Sequence, residues 1–308
     1  MSSDKCKKIE VLTMKKRLIG SICLFLAACI WGGMYVVSKY ILEFISPITL
    51  VWIRYAIAFV VLFLILMFFN YKKGCKVVIK KKDWLLIAWI GFIGYFISIC
   101  LQFMGTKLSD AHMGSLITAS TPVFVIIFAR FILKELFTKK KIISLILATF
   151  GVIIVIGLDS MFMKHLLGNI ILVGAAVTWA LLSVYVKIAS KRFDSLIITT
   201  YAMLFALIFT TPLMLMQHNN FTLILNNRNL IFGIIYLGVV STAGAFFLWN
   251  KGIELMDAGI GSLFLFFQPV TGSIFGWLYL NEQLTFGFFI GGILIVIAVA
   301  IATTGADN

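Results

Sequence analysis

Few side chains in this 308-residue chain could do covalent chemistry, and their spacing argues against it. His112, His165 and His218 stand singly, and Cys6, Cys23, Cys29, Cys75 and Cys100 show no paired spacing. No metal site and no disulfide framework is expected from them. All twelve acidic residues, from Asp4 to Asp307, fall in predicted tails, loops or helix margins. A membrane-embedded enzyme would need clustered nucleophiles, ligands or paired acids, so no catalytic residue and no cofactor is expected. The chain also has no G-x4-G-K-S/T loop with which to bind and hydrolyse a nucleotide.

What remains is the chemistry of recognition. Arg54 lies inside an apolar run that opens near Pro47, about 10 Å along a helix at 1.5 Å per residue. A guanidinium at that depth must meet water or a partner. No predicted helix holds an acid to pair with it, so its candidate partners are a solute carboxylate or backbone carbonyls, against the alternative of snorkelling to the outer interface. Ala27, Trp31, Tyr35 and Lys39 share one helical stripe, and Ala175, Trp179, Ser183 and Lys187 share another. Such stripes commonly serve packing or interfacial anchoring. Recurrence with polar neighbours favours a cavity. Tyr95, Ser98 and Gln102 fall on one face of a third segment, and Thr242 and Trp249, with Asn250 slightly aside, on an eighth. Thr121 and Gln268 precede Pro122 and Pro269, each expected in mid-helix as a fixed kink or a hinge. The candidate solute contacts are therefore Trp31, Tyr35, Arg54, Tyr95, Gln102, Thr121, Trp179, Trp249 and Gln268. The candidate hinges are Pro122 and Pro269.

These residues need elements to hold them. The sequence is 62% hydrophobic and 12% charged, and its mean hydropathy is +1.08, so lipid is the solvent for most of it. Apolar stretches run near 18–40, 47–69, 84–103, 111–131, 142–158, 169–186, 196–216, 230–251, 258–279 and 284–303, and ten transmembrane helices are predicted. Of the 26 lysines and arginines, 21 fall in the tail and alternate loops of one side, and only Lys107, Lys164 and Arg228 in the loops of the other. This bias places both termini in the cytoplasm. It also accounts for the net charge of +14 without a nucleic-acid partner, with attraction to anionic membrane lipid as a minor role. Lys15-Lys16-Arg17 followed by Leu26-Ala27-Ala28-Cys29 imitates a lipoprotein signal, but the apolar run continues past Cys29.

Lys39 and Lys187, near helix ends, are expected to snorkel. Arg130, Glu135, Glu282, Asp110 and Asp257 are expected to cap or order loops, with Thr138 and Thr285 as N-caps. Gly272-x3-Gly276 and Gly287-x3-Gly291 allow tight helix crossings, either internally or across a homodimer face.

The chain repeats itself. Ala27-Ala28-x-x-Trp31 with Lys39 recurs as Ala175-Ala176-x-x-Trp179 with Lys187 at a shift of 148. At a shift of 147, Asp110-Ala111 recurs as Asp257-Ala258, Gly114-Ser115-Leu116 as Gly261-Ser262-Leu263, and Pro122, Glu135 and Thr138 as Pro269, Glu282 and Thr285. Five helices per repeat is an odd number, so the second repeat enters the membrane from the opposite side. Inverted repeats allow two open states of similar energy around a midplane site. The expected architecture is an all-α integral membrane protein with a basic tail at 1–17, a first repeat at 18–158 and a second at 169–303.

The Trp31-Gly32 element, the Asp-Ala-x-x-Gly-Ser-Leu stretches, the prolines that follow and the Glu-x-x-Thr pairs resemble the EamA family of the drug/metabolite transporter superfamily, over nearly the whole chain. The resemblance implies a ten-helix secondary transporter of the bacterial plasma membrane, exporting amino acids or similar small solutes from a central cavity. A translocator of drugs or lipid-linked sugars is the alternative within that superfamily. The topology is open to direct test. Cysteines placed in residues 72–82 and 134–141 should label only from the cytoplasm, and cysteines at 107, 164 and 228 only from outside. External labelling of the 72–82 loop in intact cells would break the inverted-repeat argument.

Overall fold

A chain in lipid must satisfy its backbone hydrogen bonds within each segment, and the computed structural model is helical accordingly, with no strand among the described residues. The structure describes residues 2–73, 79–109, 117–156, 166–217, 227–280 and 286–303. Within these helices the side chains of residues 2–12 and a few others, Tyr35, Lys39 and Lys107 among them, lie outside the described set, as do all of Asp110, His112, Lys164, His165, His218, Glu282 and Thr285. The helical segments are α1 (Ser2–Ile41), α2 (Pro47–Lys73), α3 (81–108), α4 (Thr121–Leu133), α5 (Lys139–Ile156), α6 (Leu166–Ala189), α7 (Ser195–Leu215), α8 (Arg228–Leu255), α9 (258–280) and α10 (Phe286–Thr303). Eight of these are long and apolar enough to cross a membrane, and α4 is a shorter apolar helix.

Two sequence expectations change here. The basic tail is not separate from the first helix, because α1 runs back to Ser2; its lysines, glutamate and leucine are good helix formers and nothing in the tail breaks the turn. Pro122 does not kink the middle of a helix. Ile117 and Thr118 are helical, Ala119 and Ser120 form a turn in which the Ser120 amide donates to the Ile117 carbonyl at 3.0 Å, and α4 then begins at Thr121. Proline in a first turn lacks only a donor that would have had no partner. Pro269 sits differently, just after a 3₁₀ stretch at Leu263–Phe266 inside α9. The altered turn makes room for its ring.

The two halves are packed into each other. α1 lies antiparallel to α8, with Gly20 beside Met256, Leu24 beside Gly252 and Ile41 beside Gly233. α6 lies antiparallel to α3 in the same manner, with Gly168 beside Leu108, Leu172 beside Gly105 and Leu182 beside Gly94. α1 also packs on α9, α6 on α4, α2 on α8, α7 on α3, α2 on α7 and α5 on α10. Moving each helix five places along returns the same set of pairs, which is the pattern of a two-fold relation between the repeats. Their directions are opposed: the Lys187 ammonium near the end of α6 meets the Met256 carbonyl, and Met256 lies beside Gly20 in the first half of the membrane-spanning part of α1, Thr13–Met34.

Because lipid tails compete for apolar contact, these interfaces depend on small residues that let backbones approach. A Cβ on Gly32 would stand 1.9 Å from the Thr271 hydroxyl of α9. Gly151 of α5 and Gly291 of α10 face each other's backbones, a Cβ on the latter falling 2.3 Å from the Gly151 carbonyl oxygen. Gly272 and Gly291, from the two small-residue motifs, thus pack inside the molecule. Large residues such as Leu64, Phe131 and Ile293 are exposed, as positions against lipid should be. Gly151→Val and Gly291→Val should each lower the thermal unfolding midpoint in detergent, at an overpacking cost of about 1–3 kcal/mol. Gly174→Ala, whose added Cβ meets nothing nearer than Leu101 at 3.4 Å, is the matched control and should be silent.

Candidate functional site

α3 and α8 each contain a widened, π-helical stretch, Gly91–Ser98 and Tyr236–Gly244, at equivalent positions of the two repeats. Wide turns leave carbonyls that ordinary helix bonds do not use, and such stretches concentrate at functional sites. The Thr242 hydroxyl donates to the Leu237 carbonyl at 2.7 Å, and the Trp31 indole N–H donates to the Ser241 carbonyl at 3.1 Å. Opposite, the Ser98 hydroxyl donates to the Ala175 carbonyl at 2.9 Å.

Between these helices lies a cavity of about 60 Å³, lined by Trp31, Met34, Arg54, Gln102, Thr121, Trp179, Phe246 and Gln268 among others. Six of the nine expected solute contacts meet there: Trp31, Arg54, Gln102, Thr121, Trp179 and Gln268. Tyr95 and Trp249 do not reach the cavity. Tyr95 is buried behind it, stacked on Phe246 at 4.8 Å, with its hydroxyl accepting from the Asn250 amide at 2.8 Å. Trp249 is 1% exposed and packs behind Trp31 at 5.5 Å. Both carry rings too large to share a lining already filled by Trp31 and Phe246, so they buttress it. The Tyr35 side chain lies outside the described set. Sequence reasoning passed over Met34 and Phe246. Met34 follows Trp31 by three residues on the same helical face, and that spacing was a usable signal; a phenylalanine among 29 gives none.

Arg54 is only 4% exposed and faces this cavity. Its Nε donates to the Thr242 hydroxyl at 3.0 Å and its Nη2 to the Met34 sulfur at 3.2 Å. Nη1 has no partner among the described residues, and no described carboxylate makes an ion pair with the group. A thioether is a weak acceptor. An arginine within a spanning helix costs up to about 2.5–3.5 kcal/mol, the insertion-scale figure for the helix centre, and here only a hydroxyl and a sulfur offset that.

The aromatic wall is built across the two-fold. Trp31 and Trp179 occupy equivalent positions and meet edge to face, centroids 5.3 Å apart at 85°. Phe246 closes against both, at 5.5 and 5.6 Å. The Trp179 indole N–H is buried without a hydrogen-bond partner among the described residues. At about 60 Å³ the space admits a few water-sized groups, so a larger solute fits only as the walls separate.

One end of the bundle, where α1 begins, is tied shut between the repeats. Glu135 accepts the amides of Ala258 and Gly259 at 2.8 and 3.1 Å, capping the start of α9 from the loop after α4. Lys141, 3% exposed, joins Glu135 at 3.4 Å to Asp257 at 3.1 Å. Lys187 does not snorkel; its ammonium donates to the carbonyls of Ile253, Glu254 and Met256 at 2.5–3.0 Å and caps the end of α8. Carbonyls left open at a helix end are strong acceptors for a nearby ammonium. Thr138 does N-cap α5, accepting the Lys141 amide at 3.2 Å. No group of three potential metal ligands occurs among the described residues.

An all-helical, repeat-built membrane protein with a largely apolar cavity, set with a few polar groups, at the meeting of its halves has the architecture of a carrier. The profile of the EamA-like transporter family matches residues 18–157 and again 166–304, and the chain belongs to that family. It is a multi-pass protein of the bacterial plasma membrane. It is similar to the uncharacterized transporter YetK of Bacillus subtilis, 29% identical over 92% of this chain and 87% of that one. The uncharacterized transporter YoaV of the same organism is 26% identical over 92% and 94%, and an uncharacterized transporter of Archaeoglobus fulgidus 25% over 91% and 97%. A protein crystal structure superposes with a TM-score of 0.77 at 17% identity, covering 93% of this chain and 99% of that one, a likeness of fold alone.

Substitution of Trp179 separates packing from contact. Trp179→Phe keeps a six-membered ring in the aromatic wall while removing the N–H and the five-membered ring, so membrane abundance should largely hold while apparent solute affinity falls about tenfold, the equivalent of one lost hydrogen bond. Loss of abundance at unchanged affinity would assign Trp179 to packing alone.

Proposed function

We propose that this protein is a secondary transporter that exports small carboxylate-bearing metabolites, amino acids foremost, by alternating access. The observation that carries the reading is Arg54: a guanidinium buried beside a cavity, its Nε and Nη2 met only by a hydroxyl and a thioether, its Nη1 unpartnered, and no carboxylate partner among the described residues. A solute carboxylate would supply the missing charge and accept two donors in parallel, the geometry at which arginine excels. The Trp179 N–H, unpartnered among the described residues, and the amide of Gln268 would receive the solute's remaining polar atoms, and the aromatic wall its apolar portion.

In this reading the chain crosses the membrane ten times, both termini are cytoplasmic, and each repeat of five helices, 18–158 and 169–303, moves as a unit. The ties from Glu135 and Lys141 to Asp257 and the start of α9 then close the cytoplasmic end and must break for the cavity to open inward, with Pro269 and Pro122 as candidate hinges. Solute binding biases the two states only by its differential affinity for them. No described acid lies within the cavity, and a proton-driven carrier ordinarily keeps a titrating group there. Exchange or facilitated diffusion down the solute gradient fits that arrangement.

Flux of an amino-acid panel in proteoliposomes tests the assignment. Arg54→Ala should abolish flux while membrane abundance stays largely intact, and Arg54→Lys should fail as well, since a point charge lacks the planar fork. Normal flux in Arg54→Ala overturns carboxylate recognition. The same vesicles test coupling: an imposed pH gradient at constant external pH should leave the equilibrium level of a net-neutral solute unchanged, and accumulation above it would reveal a proton site.

A further inference from the structure

The guanidinium of Arg54 is held firmly along one edge and loosely along the other. Its Nε donates to the Thr242 hydroxyl at 3.0 Å, and that hydroxyl spends its own proton on the Leu237 carbonyl at 2.7 Å. With the proton committed, an oxygen lone pair must face Nε, so the contact has one polarity and one direction. Leu237 and Thr242 both belong to the π-helical stretch Tyr236–Gly244, whose wide turn yields a carbonyl to a side chain five residues on. The stretch is itself pinned against α2, because a Cβ on Gly238 would stand 2.7 Å from Ile57. Thr242 is fully buried, and its place is set by backbone on both sides.

The opposite edge meets only a thioether. Nη2 donates to the Met34 sulfur at 3.2 Å, and Nη1 has no partner among the described residues. Arg54 and Met34 both line the cavity, whereas Thr242 does not. A methionine side chain is unbranched and adaptable, so it can swing aside at little cost. Its sulfur is a weak acceptor, and a hydrogen bond to a charged group is roughly twice as strong as one between neutral groups. A carboxylate entering the cavity therefore outcompetes Met34 for Nη2 but has no route to Nε.

We propose that Met34 is a displaceable placeholder on Arg54 and that Thr242 is the positioning residue that fixes which edge of the guanidinium the solute meets. Given a carboxylate solute, as assigned above, its two oxygens are taken end-on across Nη1 and Nη2, with the Met34 sulfur moving away. In the empty carrier the sulfur keeps Nη2 from standing bare in an apolar surround. The arrangement also sets specificity. A carboxamide offers one acceptor oxygen and turns its own N–H donors toward the second guanidinium nitrogen, so a fixed Nη1–Nη2 edge rejects it, whereas a guanidinium free to rotate could meet it through one nitrogen.

The test titrates the full-length protein in mild detergent with a panel of amino acids, and then the tightest of them against its own α-carboxamide. The thermal unfolding midpoint of the ligand-free protein is measured in parallel. Acceptor strength at position 34 rises from leucine through methionine to glutamine. Affinity should fall in that order, about threefold tighter than wild type in Met34→Leu and about tenfold weaker in Met34→Gln. The ligand-free midpoint should move the opposite way, dropping in Met34→Leu. A packing role would lower midpoint and affinity together, and that outcome, or a flat series, overturns the placeholder. Thr242→Val removes the acceptor at nearly constant volume and should cut the preference for carboxylate over carboxamide about tenfold, with Thr242→Ser restoring it. Weaker binding with that preference intact would make Thr242 merely structural and overturn its positioning role. Arg54→Ala keeps the two failures apart. If it abolishes binding while the Met34 series is flat and Thr242→Val keeps the preference, carboxylate recognition stands and both assigned roles fall; if it binds normally, or if wild type binds no amino acid, carboxylate recognition falls and takes them with it.

Discussion

The central problem of this fold is one buried positive charge with no described negative partner. Lipid offers Arg54 nothing, so the protein must assemble dipoles around it from helices far apart in the chain: Met34 of α1 and Thr242 of α8, the latter 188 residues away. For those groups to reach it, α1, α2 and α8 must meet at the middle of the bundle, and the interleaving of the two repeats makes them do so. The π-helical stretch of α8 turns Thr242 toward the guanidinium and Ser241 toward Trp31. The cost of burying Arg54 and the polarity of the cavity are thus one feature.

The scaffold is nearly symmetric, but the site is not. Trp31 answers Trp179, Thr121 answers Gln268, and the widened turn of α3 answers that of α8. Arg54, however, falls against Ala202 under the shift of 148, and Ala202 offers its carbonyl to the close approach of Gly91. Thr242, likewise, corresponds to Tyr95 under the shift of 147, a ring that packs instead of binding a cation. Symmetry supplies two comparable halves, and departures from it place the charge.

Much of this was legible in the sequence, for physical reasons that can be named. An unpaired arginine in an apolar run is expensive, so its interior position could be read from cost alone. Tryptophans recurring at one shift had to occupy equivalent places, and they meet at the two-fold. Tyr95 and Trp249 share helical faces with real cavity residues, yet face periodicity cannot say which ring lies in front and which behind. Pro122 misled because an apolar run conceals where one helical turn ends and the next starts. Lys187 misled because the carbonyls it caps belong to a helix 66 to 69 residues away, invisible to local pattern. Met34 was overlooked because thioethers rarely present themselves as acceptors.

The interleaving of the repeats has a consequence for how the protein is made. The partners of α1 are α8 and α9, and the bond from Trp31 to Ser241 spans 210 residues of chain. At a synthesis rate of about 5–20 residues per second, the first helix waits on the order of 10–40 s before its partners leave the ribosome. Throughout that interval Arg54 has no Thr242, and Gly32 has no Thr271 to face. The first half therefore cannot mature as a folded unit in advance of the second. Nascent α1 and α2 must be sheltered from lipid or from premature pairing until translation is nearly complete, and chains truncated before α8 should be substrates for membrane quality control.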